Sequence, residues 1–338
     1  MTKPVAGPTV LSLFSGCGGL DLGFEQARFN PVLAVEIDQE ACNSYALNRP
    51  SRRNRVLTAD LSSLSAETLV ALLPGDVRGV IGGPPCQAFS ESNVNKYAED
   101  PRSLLPINYA KILKRLNRQH TLDFFVFENV LGLKSARHAD ELATFRNLFD
   151  DAGFALFEGE LDAADFGVAQ HRRRVFIVGL NRARFGGVTF EFPAGDPGTR
   201  ITVREKIGAL PEPVLFERGL TPEGIKNATG FWNHWSFRPR SAKFANKNGE
   251  LVPGDRRGRS FRVLDWDKPS MTVAYGHREV HVHPGMHRRL SVREALRLQG
   301  FPDSYRLTGT LSDQTRMVSD AVPPPLARAL AEQIRGYL

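Results

Sequence analysis

TVLSLFSGCGGLDLGFEQAR, residues Thr9–Arg28, decides the fold. Thr9–Phe14 is an apolar run of strand length, and Leu20–Arg28 carries apolar residues at helical spacing. Between them Ser15-Gly16-Cys17-Gly18-Gly19 turns the chain from strand into helix, a place where a ligand can approach the backbone and the helix N-terminus. The pattern is Gly-x-Gly-Gly, short of the full dinucleotide fingerprint. No Walker lysine follows it, which argues against nucleoside-triphosphate hydrolysis.

The same alternation continues downstream. Pro31–Val35, Arg55–Thr58, Val77–Ile81 and Leu122–Phe127 read as strands. Helical patterns over Gln39–Asn48, Ala66–Leu73, Ile107–Leu116 and Asp140–Ala152 separate or follow them, and Phe154–Leu161 and Val175–Leu180 add two more strands. This pitch predicts an α/β fold built on a doubly wound, mostly parallel sheet. After Asn181 the character changes: Gly, Pro, Arg and aromatics dominate Phe185–His283, with weak periodicity apart from a short piece at Val203–Leu210. Helical pattern returns at Val292–Leu298 and Pro324–Tyr337. The expected division is 1–184 plus 318–338 as one α/β domain, 185–285 as a smaller irregular domain, and 286–317 as a hinge and return segment.

The 338 residues carry a net charge of +7, which permits a polyanionic partner without requiring one. No apolar run is long enough for a membrane span, and the N-terminus shows no clear signal-peptide pattern. Three cysteines (Cys17, Cys42 and Cys86) without a CxxC cannot make a disulfide framework, which suits a reducing cytoplasm.

Candidate chemistry gathers at strand ends. IGGPPCQAFS, Ile81–Ser90, leaves an apolar run through two glycines and two prolines, which hold Cys86 on a stiff loop. A thiol there can serve as a nucleophile, whereas most lone cysteines are small buried hydrophobes. Glu36 follows the second strand and can accept from ribose hydroxyls; Asp60 follows the third and can accept from an adenine amine. With the glycine turn they outline a nucleoside pocket, although either acid alone could be a solvated strand-end residue. Glu128 leaves the apolar Phe124–Phe127 run on the same edge as Cys86, where an apolar setting raises a carboxyl pKa and suits proton donation. In Gln170-His171-Arg172-Arg173-Arg174, alternation puts Arg172 and Arg174 on one face, able to clamp phosphate, carboxylate or a base edge. A solvated basic edge is the plainer alternative. His277, His281, His283 and His287 cluster, but no cysteine lies near them, and strand packing or phosphate contact is favoured over a metal site.

The ordered set FSGCGG, Glu36, Asp60, GGPPCQAFS, FENV, QHRRR and RRLSVREALRLQGFP resembles the cytosine-C5 DNA methyltransferases. The likeness covers roughly residues 9–182 and 260–338, with the family's variable target-recognition domain expected between them. It implies a DNA (cytosine-5-)-methyltransferase with a Rossmann-like fold, using S-adenosylmethionine and releasing S-adenosylhomocysteine. The cofactor would contact Phe14, Ser15, Gly16, Cys17, Gly18, Gly19, Leu20, Glu36, Ile37, Asp60, Leu61, Gly83, Pro85, Asp320, Ala321 and Val322. The target cytosine would be flipped out of the duplex. Cys86 would attack its C6, Glu128 would hold N3 and the amino group, Arg174 would contact the carbonyl oxygen, and Arg172 would help hold the catalytic loop. Gln87, Ser90, Arg238, Arg240, Arg256, Arg257 and Arg259 would contact DNA, the arginines lying among aromatics and glycines in a way that suits groove and backbone contact. No metal is implied. A monomeric, cytoplasmic protein gathered on the nucleoid through DNA is expected, serving a restriction–modification system with a separate endonuclease. Two alternatives stand beside this: a tRNA cytosine-C5 methyltransferase, or a catalytically silent DNA-binding protein. One departure is plain: Ser319-Asp320-Ala321-Val322 stands where the family usually has Gly-Asn before Ala-Val.

Overall fold

The computed structural model describes residues 7–85, 104–120, 122–237, 262–272 and 281–338. One seven-stranded sheet contains β1 (Thr9–Leu13), β2 (Asn30–Glu36), β3 (Val56–Thr58), β4 (Gly79–Gly82), β5 (Phe124–Val130), β6 (Phe154–Asp162) and β7 (Arg173–Asn181). Its spatial order is β3-β2-β1-β4-β5-β7-β6. β1 to β5 run parallel, and β7 runs antiparallel to both its neighbours, β5 and β6.

Period-two alternation along the strands builds a core on each face. Leu11, Leu13, Phe125 and Phe127 point to one side, where they meet α4 (Leu105–His120) and α5 (Ala139–Asp151) through Tyr109, Leu113, Phe145 and Phe149. Val10, Phe124 and Val126 point to the other, against Phe24 of α1 (Gly19–Gln26) and Leu326, Leu330 and Ile334 of the helix Pro324–Arg335. Two further helices, α2 (Gln39–Leu47) and α3 (Ala66–Ala71), complete the first half. The doubly wound α/β fold is therefore present, with both ends of the described chain in its second core.

Beyond small shifts of other element ends, three differences from the sequence expectation stand out. β5 runs on to Val130, so Glu128 lies within the strand, opposite Phe176, rather than beyond it. The cause is the antiparallel partner: β4 stops at Gly82 opposite Phe127, while β7 continues to Arg174 opposite Val130. An additional helix, Leu311–Asp320, forms across the expected 317/318 boundary. Thr310 and Asp313 close a capping box at its start, satisfying end amides that would otherwise be orphaned. The C-terminal helix ends at Arg335, two residues before the expected Tyr337.

The described part of 185–285 holds only short elements. These include the helices Val203–Ile207 and Pro222–Thr229 and two pairs of two-residue strands. Ile225 and Trp235 share an apolar cluster with Cys17, Leu296, Tyr305 and Met317, so this segment is welded to the back of the glycine turn. His281 is fully buried in a strand and His283 lies edge-on to Trp266 with ring centroids 5.1 Å apart. Burial pushes the pKa of each imidazole down to about 4 and keeps it neutral. Among the described residues no helix is long and apolar enough to cross a membrane.

Candidate active site

The strand order reverses at the β1–β4 boundary, since β1 leads to β2 on one side and β4 to β5 on the other. Crevices form at the carboxyl ends of strands at such a switch point. Both sequence-marked loops open there: the glycine turn after β1, and Gly83-Pro84-Pro85 after β4. The turn is tight, with positive φ at Phe14, Gly16 and Gly18. The Gly18 amide donates to the Ser15 carbonyl (2.9 Å), and the Ser15 amide to the Val35 carbonyl (3.1 Å).

Glu36 ends β2 and fastens the first two loops together. Its Oε2 accepts from the Gly16 amide (2.9 Å) and its Oε1 from the amides of Ile37 (2.9 Å) and Asp38 (3.0 Å). An ionised carboxylate has about four acceptor positions, so capacity remains for a ligand hydroxyl. Ile37 beside it is 63% exposed, a bare aliphatic surface on the rim. Asp60 is exposed as well, one oxygen accepting from the Ser62 amide (2.8 Å). Arg316, from the helix Leu311–Asp320, pairs with Asp38 at 2.6 Å and brings that helix to the same rim.

The second edge is made by β5 and β7. Arg174 Nε meets Glu128 Oε1 at 2.9 Å, both side chains being 12% exposed. Burial pushes the Glu128 carboxyl pKa up, opposed by the charges of Arg174 and Arg172. Asn129 donates from Nδ2 to the Pro84 carbonyl (3.3 Å) and ties the proline loop to β5. Arg172 is buried, its Nη2 donating to the Ser319 carbonyl (2.7 Å). Arg173 faces outward to Glu160 at 2.9 Å. The antiparallel sense of β7 is what delivers these arginines: its amino end lies beside the carboxyl ends of the parallel strands.

A family model described as C-5 cytosine-specific DNA methylase matches residues 9–336. The chain belongs to that family. Among its relatives, the Type II methyltransferase M.NgoPII of Neisseria gonorrhoeae is 31% identical over 97% of this chain and 96% of its own. The Type II methyltransferase M.FnuDI of Fusobacterium nucleatum is 32% identical over 97% and 94%. A crystal structure from E. coli, of a prophage-encoded protein described as a DNA modification methyltransferase, superposes with a TM-score of 0.78. It has 26% identity and covers 98% of this chain and 99% of that one. The activity is DNA cytosine-C5 methylation.

In this methylase the sequence-marked residues divide into groups. Phe14, Ser15, Gly16, Glu36, Ile37 and Asp60 lie around the β1–β3 ends, and Gly83, Pro85, Glu128 and Arg174 lie across from them. The side chains of Cys17, Leu20, Leu61 and Val322 belong to apolar cores. Burial pushes the Cys17 thiol up to about 12, so it has no nucleophilic character. Cys42 is buried too, its thiol donating to the Glu36 carbonyl (3.6 Å). Gly19 and the segment Ala321–Val322 touch so closely that a side chain at Gly19 would strike the Val322 carbonyl. Cys86, Gln87, Ser90, Arg238, Arg240, Arg256, Arg257, Arg259 and His277 lie outside the described residues. Sequence reasoning missed Arg316, Arg49 and Tyr305; the Thr310-x-x-Asp313 pattern could have flagged the helix that carries the first.

Gly83 has a specific reason to be glycine. A Cβ there would sit 2.5 Å from Glu128 Oε2, whose carboxylate is already pinned by Arg174. Gly83→Ala is therefore expected to displace Glu128 and lower kcat by about 10- to 100-fold, with a smaller loss of stability. Steady-state kinetics beside a thermal melt would check this; a wild-type kcat would show that the carboxylate can shift freely.

Proposed function

We propose that this methylase transfers the methyl group of S-adenosylmethionine to C5 of a flipped-out cytosine in a specific duplex DNA site, through a covalent Cys86–C6 adduct. The single observation that carries the reading is the Glu128–Arg174 pair facing the glycine turn across the switch point. It sets a carboxyl whose pKa is raised by burial and a fixed cation beside the carboxyl ends of the strands at that point. The residues around the crevice suit the cofactor: Glu36 offers a remaining acceptor for a ribose hydroxyl, exposed Ile37 an apolar face for the purine, and Asp60 an acceptor for the exocyclic amine. When bound, that cofactor supplies an electrophilic methyl group.

The chain's own residues do the rest. The Cys86 thiolate adds to C6, forming the C–S bond and pushing the ring electrons toward N3 and the carbonyl oxygen. Glu128 donates to N3, and Arg174 stabilises the charge on the oxygen. C5 is thereby made enamine-like and nucleophilic, ready for the methyl group that the bound cofactor would supply on leaving as S-adenosylhomocysteine. A base then removes the C5 proton, and the electrons returning to the ring expel Cys86 as thiolate. Arg172 anchors the segment Ser319–Val322 against this edge.

The Type II relatives support a restriction–modification role; with it go a separate endonuclease, a place on the nucleoid of the cytoplasm and a monomeric enzyme as parts of the same proposal. Tritium transfer to duplex DNA and to tRNA side by side tests the substrate. Label on DNA alone supports the reading; label on tRNA alone would favour the RNA alternative, and no turnover the silent DNA-binding one. Bisulfite sequencing of DNA from an expressing host gives the site.

Asp320 is the departure to resolve. Much of the residue is open, but its carboxyl is enclosed enough that loss of water pushes its pKa up, against the pull of Arg172, Arg316 and Arg174. Asp320→Asn removes this charge beside the crevice, and cofactor binding is expected to stay level or tighten a few-fold, the scale of one partly screened charge. Isothermal titration would check this; a large loss of affinity would give the aspartate a role of its own.

A further inference from the structure

Behind the glycine turn, away from the crevice, lies a buried polar group that the proposed chemistry does not use. Arg49, 5% exposed, donates from Nη2 to the Gly18 carbonyl (3.1 Å) and from Nη1 to the Tyr305 hydroxyl (3.3 Å). Its Nε reaches both oxygens of Glu25 (2.9 and 3.1 Å), and its guanidinium lies 4.0 Å above the Tyr45 ring centre. The Tyr305 hydroxyl donates to the Cys17 carbonyl. Below them, Asp21 accepts from the hydroxyls of Tyr45 and Ser12, both at 2.9 Å.

Two consecutive carbonyls of the turn thus each end on a buried donor from outside it. The glycines report the same division. A side chain at Gly16 would meet nothing within 4 Å, whereas one at Gly18 would lie 2.7 Å from Tyr45 Cδ2 and 2.8 Å from Arg49 Nη1. Gly16 leaves room in front of the turn, and Gly18 leaves room for the clamp behind it. Phe14 at the head of the turn also has positive φ, a conformation that a non-glycine residue holds only when its neighbours over-determine it.

We propose that Arg49 and Tyr305 are positioning residues that hold the glycine turn in its cofactor-binding shape from behind. The inference rests on the cofactor reading above. Without the clamp the turn must be ordered at the moment of binding, and that ordering cost appears as lost affinity.

The test titrates S-adenosylhomocysteine into the full chain for wild type, Tyr305→Phe and Tyr109→Phe. Tyr109 is the matched control: it is equally buried, and its hydroxyl donates to the Val126 carbonyl (2.8 Å) in the other core. Tyr305→Phe should raise Kd by about five- to tenfold and raise KM for the methyl donor alike. Its kcat at saturating donor and its DNA affinity should stay at wild-type values. Tyr109→Phe should lower the melting temperature without moving Kd. Arg49→Lys, which keeps the charge and loses the fork, should resemble Tyr305→Phe. An unchanged Kd in Tyr305→Phe, or an equal rise in Tyr109→Phe, overturns the proposal. Wild-type protein that binds no S-adenosylhomocysteine would instead overturn the cofactor reading.

Discussion

Cys86→Ala is expected to abolish methyl transfer, with kcat falling by at least about 10⁴-fold while duplex DNA and cofactor still bind. The size follows from the chemistry. C5 of cytosine is a poor nucleophile until a group adds at C6, and no other sulfur can substitute. Cys17 and Cys42 are both buried, and the Cys17 pKa stands near 12. DNA carrying 5-fluorocytosine at the target makes the outcome visible. Fluorine cannot leave as a proton does, so wild-type enzyme should remain attached to the strand through denaturing electrophoresis. An adduct of equal yield with Cys86→Ala would remove Cys86 from the mechanism.

Glu128→Gln is expected to cost about 10²- to 10³-fold in kcat and to change the pH profile as well. Burial raises the Glu128 pKa, so the protonated form persists to higher pH than for a free carboxyl. The wild-type rate should therefore fall on the alkaline side as pH rises through that raised value. The glutamine variant cannot titrate and should lose this limb. Stability has a matching sign. The folded state binds the Glu128 proton more tightly than the unfolded chain, so its contribution declines as pH rises from the ordinary carboxylate range through the raised value. A glutamine variant that keeps the alkaline limb would assign that limb to another group.

Much of this was legible in the sequence because it rests on local rules. Strand–helix alternation, the glycine turn at Phe14–Gly19 and the acids at strand ends obey short-range periodicity. The structure places Glu36 and Asp60 at the strand ends where those rules put them, and Glu128 inside a strand that runs further than they foresaw. What escaped was non-local. The extension of β5 through Val130 depends on its pairing with β7, whose residues lie some fifty positions onward. Tyr305 and Arg49 look like ordinary polar positions until the fold carries them to the Cys17 and Gly18 carbonyls. The helix Leu311–Asp320 is polar over most of its length and was hidden by weak apolar spacing, although its cap pattern was visible.

The turn after β1 also closes on residues that are made far apart in time. The Cys17 thiol meets the Met317 carbonyl across 300 positions, and Arg335 donates to the Ala27 carbonyl across 308. At about 5–20 residues per second a ribosome needs roughly 15–60 s to travel from one to the other. Through that interval Phe24 and the Val10 face of the sheet wait for Leu326, Leu330 and Ile334 to cover them. The nascent chain carries an open apolar stripe, the kind of surface that chaperones bind and that aggregates when crowded. The crevice wall built on β1 is therefore unfinished until residues 300 positions onward have been made. A cell that depends on this enzyme to mark its DNA gains no protection from a chain that lacks those later residues.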